Sequence, residues 1–308
     1  METPFLRMKT AASRLGPVPT TLGDPAPTDY GLVRLANGVY SVRSAAEGET
    51  FHPVIGPVAE AEALYCRQLR LTERLAGLRE EFVVWDVGLG AAANALTVLR
   101  AARAASAQMR VISFDRTAAA LRFGLHHAAA LGYFTEYETA ARALLTAGRC
   151  TFPNGLQPAH WELCLADFPT WLAQPAAAHL PKPHLVMFDA FSPARNPAMW
   201  TQAVFEGLHR LLDPGRACSM ATYSRSTLLR VSWLVAGFFV GTGQETGEKE
   251  ETTVGANRLE LIAQPLDRRW LQRARRSTSA EPLWTPAYRQ APLTAETWER
   301  LRAHPQFA

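Results

Sequence analysis

Short apolar runs alternate with helical stretches through the middle of the chain. Phe82-Val-Val-Trp85 is a continuous apolar run, which predicts a strand buried on both faces. Residues 91–105 are rich in Ala and Leu, which favours a helix. Further apolar runs at 110–115, 161–167 and 184–189 predict three more strands. Strands that alternate with helices at this spacing predict βαβ units, and therefore an α/β fold with a mostly parallel sheet.

The flanking segments carry weaker patterns. Alternating apolar and polar positions between Tyr30 and Phe51 predict a β-hairpin. Residues 57–76, 117–131 and 197–212 have the spacing of helices, and the last of these stops at a turn signal, Asp213-Pro-Gly. Later strands are predicted at 217–223, 238–241 and 258–263.

These patterns divide the chain into four parts. Residues 1–30 are rich in Pro, Thr and Gly without periodicity, so we expect a flexible N-terminal arm. Residues 31–78 form a small β-hairpin and helix extension, and 79–266 form the main α/β domain. Residues 267–308 follow as a basic C-terminal tail.

Composition narrows the class of protein. With 308 residues and 48% apolar content, the chain can build one large domain with a small appendage. Apolar runs of 18 residues are absent and the N-terminus lacks the apolar core of a secretory signal, so we expect no membrane span and a cytoplasmic location. The four cysteines form no C-x-x-C pair, so we expect reduced thiols and no metal site.

Charge adds one candidate surface. The net charge of +4 permits a polyanionic partner without demanding one. Five arginines fall within nine residues near the C-terminus: Arg268, Arg269, Arg273, Arg275 and Arg276. They indicate either a solvated helix face or a surface for a phosphate backbone, and both interpretations stay open.

Four of the predicted strands end on acids. Asp86, Asp115, Asp167 and Asp189 each close an apolar run. In an open parallel sheet, ligands bind outside the carboxyl ends of the strands. Because acids crowded at one edge repel each other, a cationic or hydroxyl-rich ligand is favoured there. Each acid could instead be a turn or N-cap residue.

A glycine loop follows the first of these strands. In Asp86-Val-Gly88-Leu-Gly90, glycines let the backbone approach a ligand closely. Asp115 stands 25 to 27 residues beyond the two glycines, where an acid binds ribose hydroxyls. A pyrophosphate fingerprint requires a third glycine at position 93, which is Ala93 here. The loop therefore favours S-adenosylmethionine, which has a ribose and a sulfonium but no phosphate, over a dinucleotide.

One stretch resembles a specific family. Asp189-Ala-Phe-Ser-Pro-Ala-Arg-Asn-Pro-Ala-Met-Trp200 is similar to the signature of the MnmC-like methyltransferases, D-[AG]-F-[AS]-P-[AK]-K-N-P-x-M-W. Gly48-Glu-Thr-Phe-His52 and Gly56-Pro-Val-Ala-Glu60 resemble the family's entry segment. The likeness covers roughly residues 35–300. The chain ends at Ala308 without a second glycine fingerprint, so it resembles the stand-alone form that lacks the flavin oxidase domain.

The resemblance implies a Rossmann-like fold, with 79–266 as the methyltransferase domain and S-adenosyl-L-methionine as cofactor. It implies methylation of the aminomethyl group on the wobble uridine of tRNA, so the anticodon region is the expected partner. Asp189 would be catalytic, orienting the amine and receiving a proton. Implied cofactor contacts are Asp86, Gly88, Gly90, Asn94, Asp115, Asp167 and Asp189. Implied substrate contacts are Glu49, His52, Phe191, Pro193, Asn196, Pro197, Trp200 and Lys249.

Two segments depart from the family pattern. Ala91 and Ala92 replace a hydroxyl residue and a third glycine, so we expect Ala92→Gly to tighten cofactor binding. Acidic residues at 248–251 stand where the family is basic. Two alternatives therefore stay open: a methyltransferase for another amine, such as a small molecule, and a nucleic-acid-binding homologue impaired in catalysis. The sequence does not indicate an oligomeric state.

Overall fold

The computed structural model describes residues 29–245 and 251–308. The predicted hairpin is present as β1 (Tyr30–Arg34) and β2 (Tyr40–Ser44), which pair antiparallel in a two-stranded sheet. Most of the predicted N-terminal arm lies outside the described residues.

Eight further strands form one large sheet. They are β3 (Phe82–Val87), β4 (Met109–Asp115), β5 (Arg149–Asn154), β6 (Gln157–Leu165), β7 (Leu185–Phe188), β8 (Ser219–Thr222), β9 (Phe239–Gly243) and β10 (Thr252–Ala256). Their order is β5-β6-β4-β3-β7-β8-β10-β9. The five central strands pair in parallel, and the outer pairs are antiparallel. The predicted α/β fold with a mostly parallel sheet is confirmed.

Helices cover both faces of this sheet. They are α1 (Pro57–Ala61), α2 (Leu71–Leu75), α3 (Ala93–Ala101), α4 (Ala119–His126), α5 (Ala128–Leu131), α6 (Glu138–Ala147), α7 (Phe168–Leu172), α8 (Gln202–Leu211), α9 (Thr227–Val235), α10 (Arg268–Arg276) and α11 (Ala295–Arg302). Within the described ranges, none of the helices is both long and apolar enough to cross a membrane.

Strand β3 shows why the core has two halves. Side chains along a strand point alternately to opposite faces. Phe82 and Val84 join the apolar cluster on one face, and Val83, Trp85 and Val87 join the cluster on the other. Every residue of β3 is buried, as the continuous apolar run predicts.

Two predicted elements differ from those observed. The last strand was predicted at 258–263, which is wrong: the strand is β10, and residues 259–261 form a short 3₁₀ turn. The Asn257 side chain ends β10 by accepting a hydrogen bond from Cys218 N and donating to Asp213 O and Arg216 O. The predicted helix over 57–76 is broken, because residues 62–67 are π-helical and Arg70 has a φ of 53°.

The C-terminal segment packs against the second face of the sheet. Helix α10 begins at Asp267, whose side chain accepts a hydrogen bond from Trp270 N. Trp270, Leu271 and Ala274 are buried in the second apolar cluster, while the helix's arginines are exposed. Residues 267–308 thus present a basic surface on a folded support.

Candidate functional site

A cavity of about 500 Å³ lies at the carboxyl ends of the parallel strands. Strands β3 and β7 are neighbours there, and the chain runs to opposite sides of the sheet from this point. Such a switch in strand order is where open α/β sheets bind ligands. The carboxylates that line the cavity are Asp29, Glu47, Glu49, Glu60, Asp115 and Asp189. Among the lining residues that the structure describes, only His52 and Arg116 can carry positive charge, so this part of the lining favours a cationic ligand.

The glycine loop after β3 allows a close approach between loops. Gly88 has a φ of 97°, and a Cβ there would lie 2.5 Å from the backbone oxygen of Asp189. Gly90 has a φ of 52°, and a Cβ there would lie 3.2 Å from the ring of Phe51. Larger residues would therefore force these walls of the cavity apart.

Asp115 closes the loop from the end of β4. Its Oδ2 accepts a hydrogen bond from Gly90 N at 3.0 Å, and its Oδ1 accepts one from Thr117 N at 3.2 Å. Burial raises the pKa of Asp115, although these backbone N–H groups partly oppose the rise. Asp115 thus brings a carboxylate to the cavity at the position expected for a ribose-binding acid.

Ala92 occupies the left-handed conformation usual for glycine. Its φ is 65° and its ψ is 13°, which strains an L-residue by roughly 1–2 kcal/mol. The side chain of Ala92 is fully buried and does not line the cavity, unlike its neighbours Ala91 and Ala93. A Cβ outside the lining does not crowd a ligand in the cavity, so of the two grounds for expecting Ala92→Gly to tighten binding only a narrowed turn is left.

Two of the predicted cofactor residues lie beside the cavity rather than in its lining. Asp86 is fully buried, and its Oδ2 accepts a hydrogen bond from Ser113 Oγ at 2.7 Å. Burial raises the pKa of Asp86 to about 7. Asp167 is the N-cap of α7, where its Oδ2 accepts hydrogen bonds from Thr170 N and Oγ1. The residues on either side of Asp167 do line the cavity.

Asp189 is held by two donors. Asn94 Nδ2 donates to Asp189 Oδ2 at 2.7 Å, and His52 Nε2 lies 3.0 Å from the same oxygen. Burial alone would lower the pKa of His52, but the hydrogen bond and charge of Asp189 and the charge of Glu60 raise it above its ordinary value. His52 has a φ of 48°, a strained conformation that is typical of functional sites.

Residues of the N-terminal extension contact the loop that follows β7. Glu49 accepts hydrogen bonds from Ser192 N at 3.2 Å and from Ser192 Oγ. The rings of Phe51 and Phe191 pack with centroids 5.6 Å apart. Residues 49–52 therefore form one wall of the cavity and connect it to residues 189–192.

Three predicted substrate residues lie away from the cavity lining. Trp200 is fully buried, and its Nε1 donates to Phe191 O at 2.7 Å. It therefore supports the loop from the core instead of facing a ligand, which differs from the prediction. Pro193 and Pro197 are partly exposed outside the lining, whereas Asn196 lies within it. Lys249 lies outside the described residues.

Several lining residues were not predicted as site residues. Tyr30 and Phe51 come from the extension, Glu60 is buried on α1, and Tyr223 follows β8 and donates to Ala190 O at 3.1 Å. Burial, Asp115 and other nearby carboxylates raise the pKa of Tyr30 to about 12. Glu60 stands in the family-like entry segment, which could have signalled it. Tyr30 carries no such signal, because only the fold brings β1 to the sheet edge.

The cavity fits S-adenosyl-L-methionine. Its volume falls within the range of cofactor sites, roughly 300–1,000 Å³. Gly88 and Gly90 bring backbone to the lining, and Asp115 suits ribose hydroxyls. The excess of carboxylates suits a sulfonium and an ammonium group.

Comparisons with known proteins agree with this geometry. A model of a family described as S-adenosyl-L-methionine-dependent methyltransferases matches residues 161–258. The bifunctional protein MnmC of tRNA 5-methylaminomethyl-2-thiouridine biosynthesis is 31% identical over 247 residues in Methylibium petroleiphilum, covering 77% of this chain and 36% of that protein. The Aeromonas hydrophila MnmC is 29% identical over 227 residues, which cover 69% of this chain and 33% of that protein. The chain spans about a third of the length of these curated relatives.

A solved structure shares the fold. MnmC2 from Aquifex aeolicus matches with a TM-score of 0.64 at 18% identity, covering 88% of this chain and 82% of that one. Fold, cavity and family match together define an S-adenosylmethionine-dependent methyltransferase with a Rossmann-like fold. The chain is similar to MnmC proteins over 77% and 69% of its length, in agreement with the resemblance carried by Asp189 to Trp200.

Proposed function

We propose that this methyltransferase acts on tRNA, converting 5-aminomethyl-2-thiouridine at the wobble position to 5-methylaminomethyl-2-thiouridine. The observation that carries the proposal is the Asp189 cluster. A carboxylate with two donors stands at the cavity, at the head of the motif shared with MnmC-like methyltransferases. The names of the curated relatives support the same substrate.

The glycine loop and the strand ends would hold the cofactor. Backbone at Gly88 and Gly90 would lie beside its methionine portion, and Asp115 would bind the ribose. Asp167 would stand near the adenine amino group, from a position adjacent to the lining. When bound, S-adenosyl-L-methionine supplies a methyl group already activated by a sulfonium.

Asp189 would orient the acceptor amine and accept the proton that it loses. A primary amine attacks only when it is unprotonated, and it must lose a proton after gaining a methyl group. The carboxylate of Asp189 can orient the amine by accepting a hydrogen bond and can receive that proton. Holding the reactants in line would supply most of the rate.

Aromatic side chains would receive the base. Phe51 and Phe191 pack together at the cavity, and Asn196 brings an amide to the same lining. An enzyme that modifies a base needs it unstacked, and stacking plus edge hydrogen bonds recognise it once it is exposed. These residues would provide both kinds of contact.

The arginines of α10 would contact the phosphate backbone of tRNA. Arg268, Arg269 and Arg273 are exposed on a helix whose opposite side is anchored in the core. Phosphate contacts from such a surface supply affinity without sequence preference. A tRNA substrate would also support a cytoplasmic location.

One observation favours a second candidate, a small amine as acceptor. Carboxylates dominate the cavity lining, and the side chain of Arg116 lies 3.5 Å from Glu47. Such a lining attracts a free polyamine and repels a phosphate group. The acidic residues at 248–251 point in the same direction.

Transfer of labelled methyl from the cofactor distinguishes these candidates. We expect the protein to label undermodified tRNA and to leave rRNA and polyamines unlabelled. Labelling of polyamines alone would establish the second candidate. An impaired homologue would label nothing, and calorimetry with S-adenosylhomocysteine would then detect no binding.

A further inference from the structure

His52 and Asp189 form a buried pair that the amine chemistry alone does not explain. The side chain of His52 is 10% exposed, and that of Asp189 is 15% exposed. His52 reaches Asp189 from the N-terminal extension, 137 residues away in sequence, and adopts a strained backbone conformation to do so. Since such strain persists only where the surroundings impose it, the pairing is built into the fold.

The two nitrogens of His52 have different surroundings. Nε2 faces Asp189 Oδ2, while Nδ1 is buried without a hydrogen-bond partner among the residues that the structure describes. A neutral imidazole with its proton on Nε2 donates to Asp189 and leaves only a lone pair on Nδ1. A second proton on Nδ1 would create an imidazolium beside the carboxylate.

We propose that His52 is a positioning residue that orients Asp189 while its imidazole is neutral, and that a proton gained by the imidazole switches the carboxylate off. The proposal rests on the proposed function of the same site. The switch is a simple protonation: hydronium in the solvent gives one proton to Nδ1 and becomes water, and no bond between heavy atoms forms or breaks. The resulting positive charge neutralises Asp189 and weakens it as a proton acceptor.

The carboxylates around His52 determine where its imidazole gains a proton. Asp189 faces it from the end of β7, Glu60 from α1 and the neutral amide of Asn94 from α3. The phenols of Tyr65 and Tyr223 face the same two carboxylates, and burial raises the pKa of both well above the ordinary value, so they stay neutral. Because these carboxylates raise the pKa of His52, its protonation begins above the pH of an ordinary histidine.

His52→Gln separates positioning from titration. Glutamine keeps an N–H donor at similar reach but cannot gain a proton. Each variant's kcat for methyl transfer is compared with its own plateau at about pH 9, so that the loss of a substrate contact at this position does not enter the comparison. On the acid side, the decline of kcat should become shallower by one proton. His52→Ala lacks the donor and should lose activity by about tenfold or more at every pH, and the exposed His126→Gln serves as the matched control.

A second readout does not depend on turnover. The imidazole of His52, followed by NMR in the complete protein, should titrate at higher pH in wild type than in Asp189→Asn. Far-UV circular dichroism and the thermal unfolding midpoint show whether each variant is folded, independently of any cofactor contact at position 189.

The outcomes separate the two proposals. A pH profile of His52→Gln that matches wild type, or equal titration of His52 in wild type and Asp189→Asn, would overturn the switch. If wild type methylates neither tRNA nor an amine, the proposed function fails. The NMR comparison of wild type with Asp189→Asn still tests the interaction between His52 and Asp189.

Discussion

Backbone conformation at single residues decides much of this site. His52 and Ala92 are two of the three non-glycine residues with positive φ among those described, and both border the cavity region. His52 brings its imidazole to Asp189, and Ala92 is the N-cap of α3, next to the glycine loop. Strain at these positions is held in place by the packing around them.

Ala92→Gly tests how well the loop already fits its ligand. We expect affinity for S-adenosylhomocysteine to stay within about twofold of wild type, because the loop already has a glycine-like conformation and Cβ lies outside the lining. Relief of strain and loss of a buried methyl group oppose each other, so stability should change by less than about 1 kcal/mol. Isothermal calorimetry and urea unfolding measure both. Affinity that rises tenfold would show that Ala92 does obstruct the cofactor.

Asp86→Asn tests the buried acid under the loop. Because burial raises the pKa of Asp86 from 3.8 to about 7, the native state binds more protons than the unfolded state between those values. The contribution of Asp86 to stability therefore falls as pH rises through this window. Asparagine does not titrate. The free energy of unfolding of Asp86→Asn, relative to wild type, should therefore rise by on the order of 2 kcal/mol between about pH 5 and pH 8.

Urea unfolding at the two pH values measures this difference. The exposed Glu260→Gln is the matched control and should show a constant difference from wild type. If Asp86→Asn behaves like that control, the carboxyl is not buried in the way described.

Among elements, the segment 49–52 and the loop 189–200 act as one unit. Glu49, Phe51 and His52 each contact that loop, and Trp200 supports it from the core. The wall of the cavity is therefore assembled from two segments that lie far apart in sequence. Changes in the supporting residues should alter activity without direct contact with a ligand.

Trp200→Phe removes the indole N–H that Phe191 O accepts. We expect a loss of stability of about 1–3 kcal/mol and reduced methyl transfer, because the loop that carries Asp189 loses its anchor. Affinity for S-adenosylhomocysteine should change little. Trp284→Phe is the matched control, since Trp284 is 41% exposed and its N–H bonds Glu281 outside the site. Equal losses in both variants would contradict a specific support by Trp200.

The elements also show what the sequence could predict. The continuous apolar runs predicted the buried parallel strands, because a strand covered on both faces needs apolar residues throughout. Strand β5 was missed because it lies at the edge of the sheet, is partly exposed and contains Pro153. Trp200 was predicted to face the cavity, but it packs in the core. An aromatic residue in a sequence motif can serve either use, packing or stacking on a ligand. Only the fold distinguishes those uses.

At the scale of the whole molecule, an acidic cavity and a basic helix lie on one chain. The carboxylates face inward at the end of the sheet, and α10 exposes its arginines on a separate support. A cationic amine attached to a polyanion needs such a separation, because charges of opposite sign must be recognised at different places.

Replacing Arg268, Arg269 and Arg273 by Gln tests this surface. We expect tRNA binding to weaken and the slope of log affinity against log salt concentration to fall by about two to three. Affinity for S-adenosylhomocysteine should stay unchanged. Gln at the exposed Arg142 and Arg149 is the control and should leave the slope alone. An unaltered slope in the α10 variant would mean that the helix face is only solvated.

The most direct test of the account is mass spectrometry of tRNA nucleosides from cells that lack this gene. We expect loss of 5-methylaminomethyl-2-thiouridine with accumulation of the 5-aminomethyl form. The wild-type gene should restore the methylated nucleoside, and an Asp189→Asn version should not. An unchanged nucleoside profile after deletion, or full restoration by Asp189→Asn, would contradict the proposed substrate or the proposed role of Asp189.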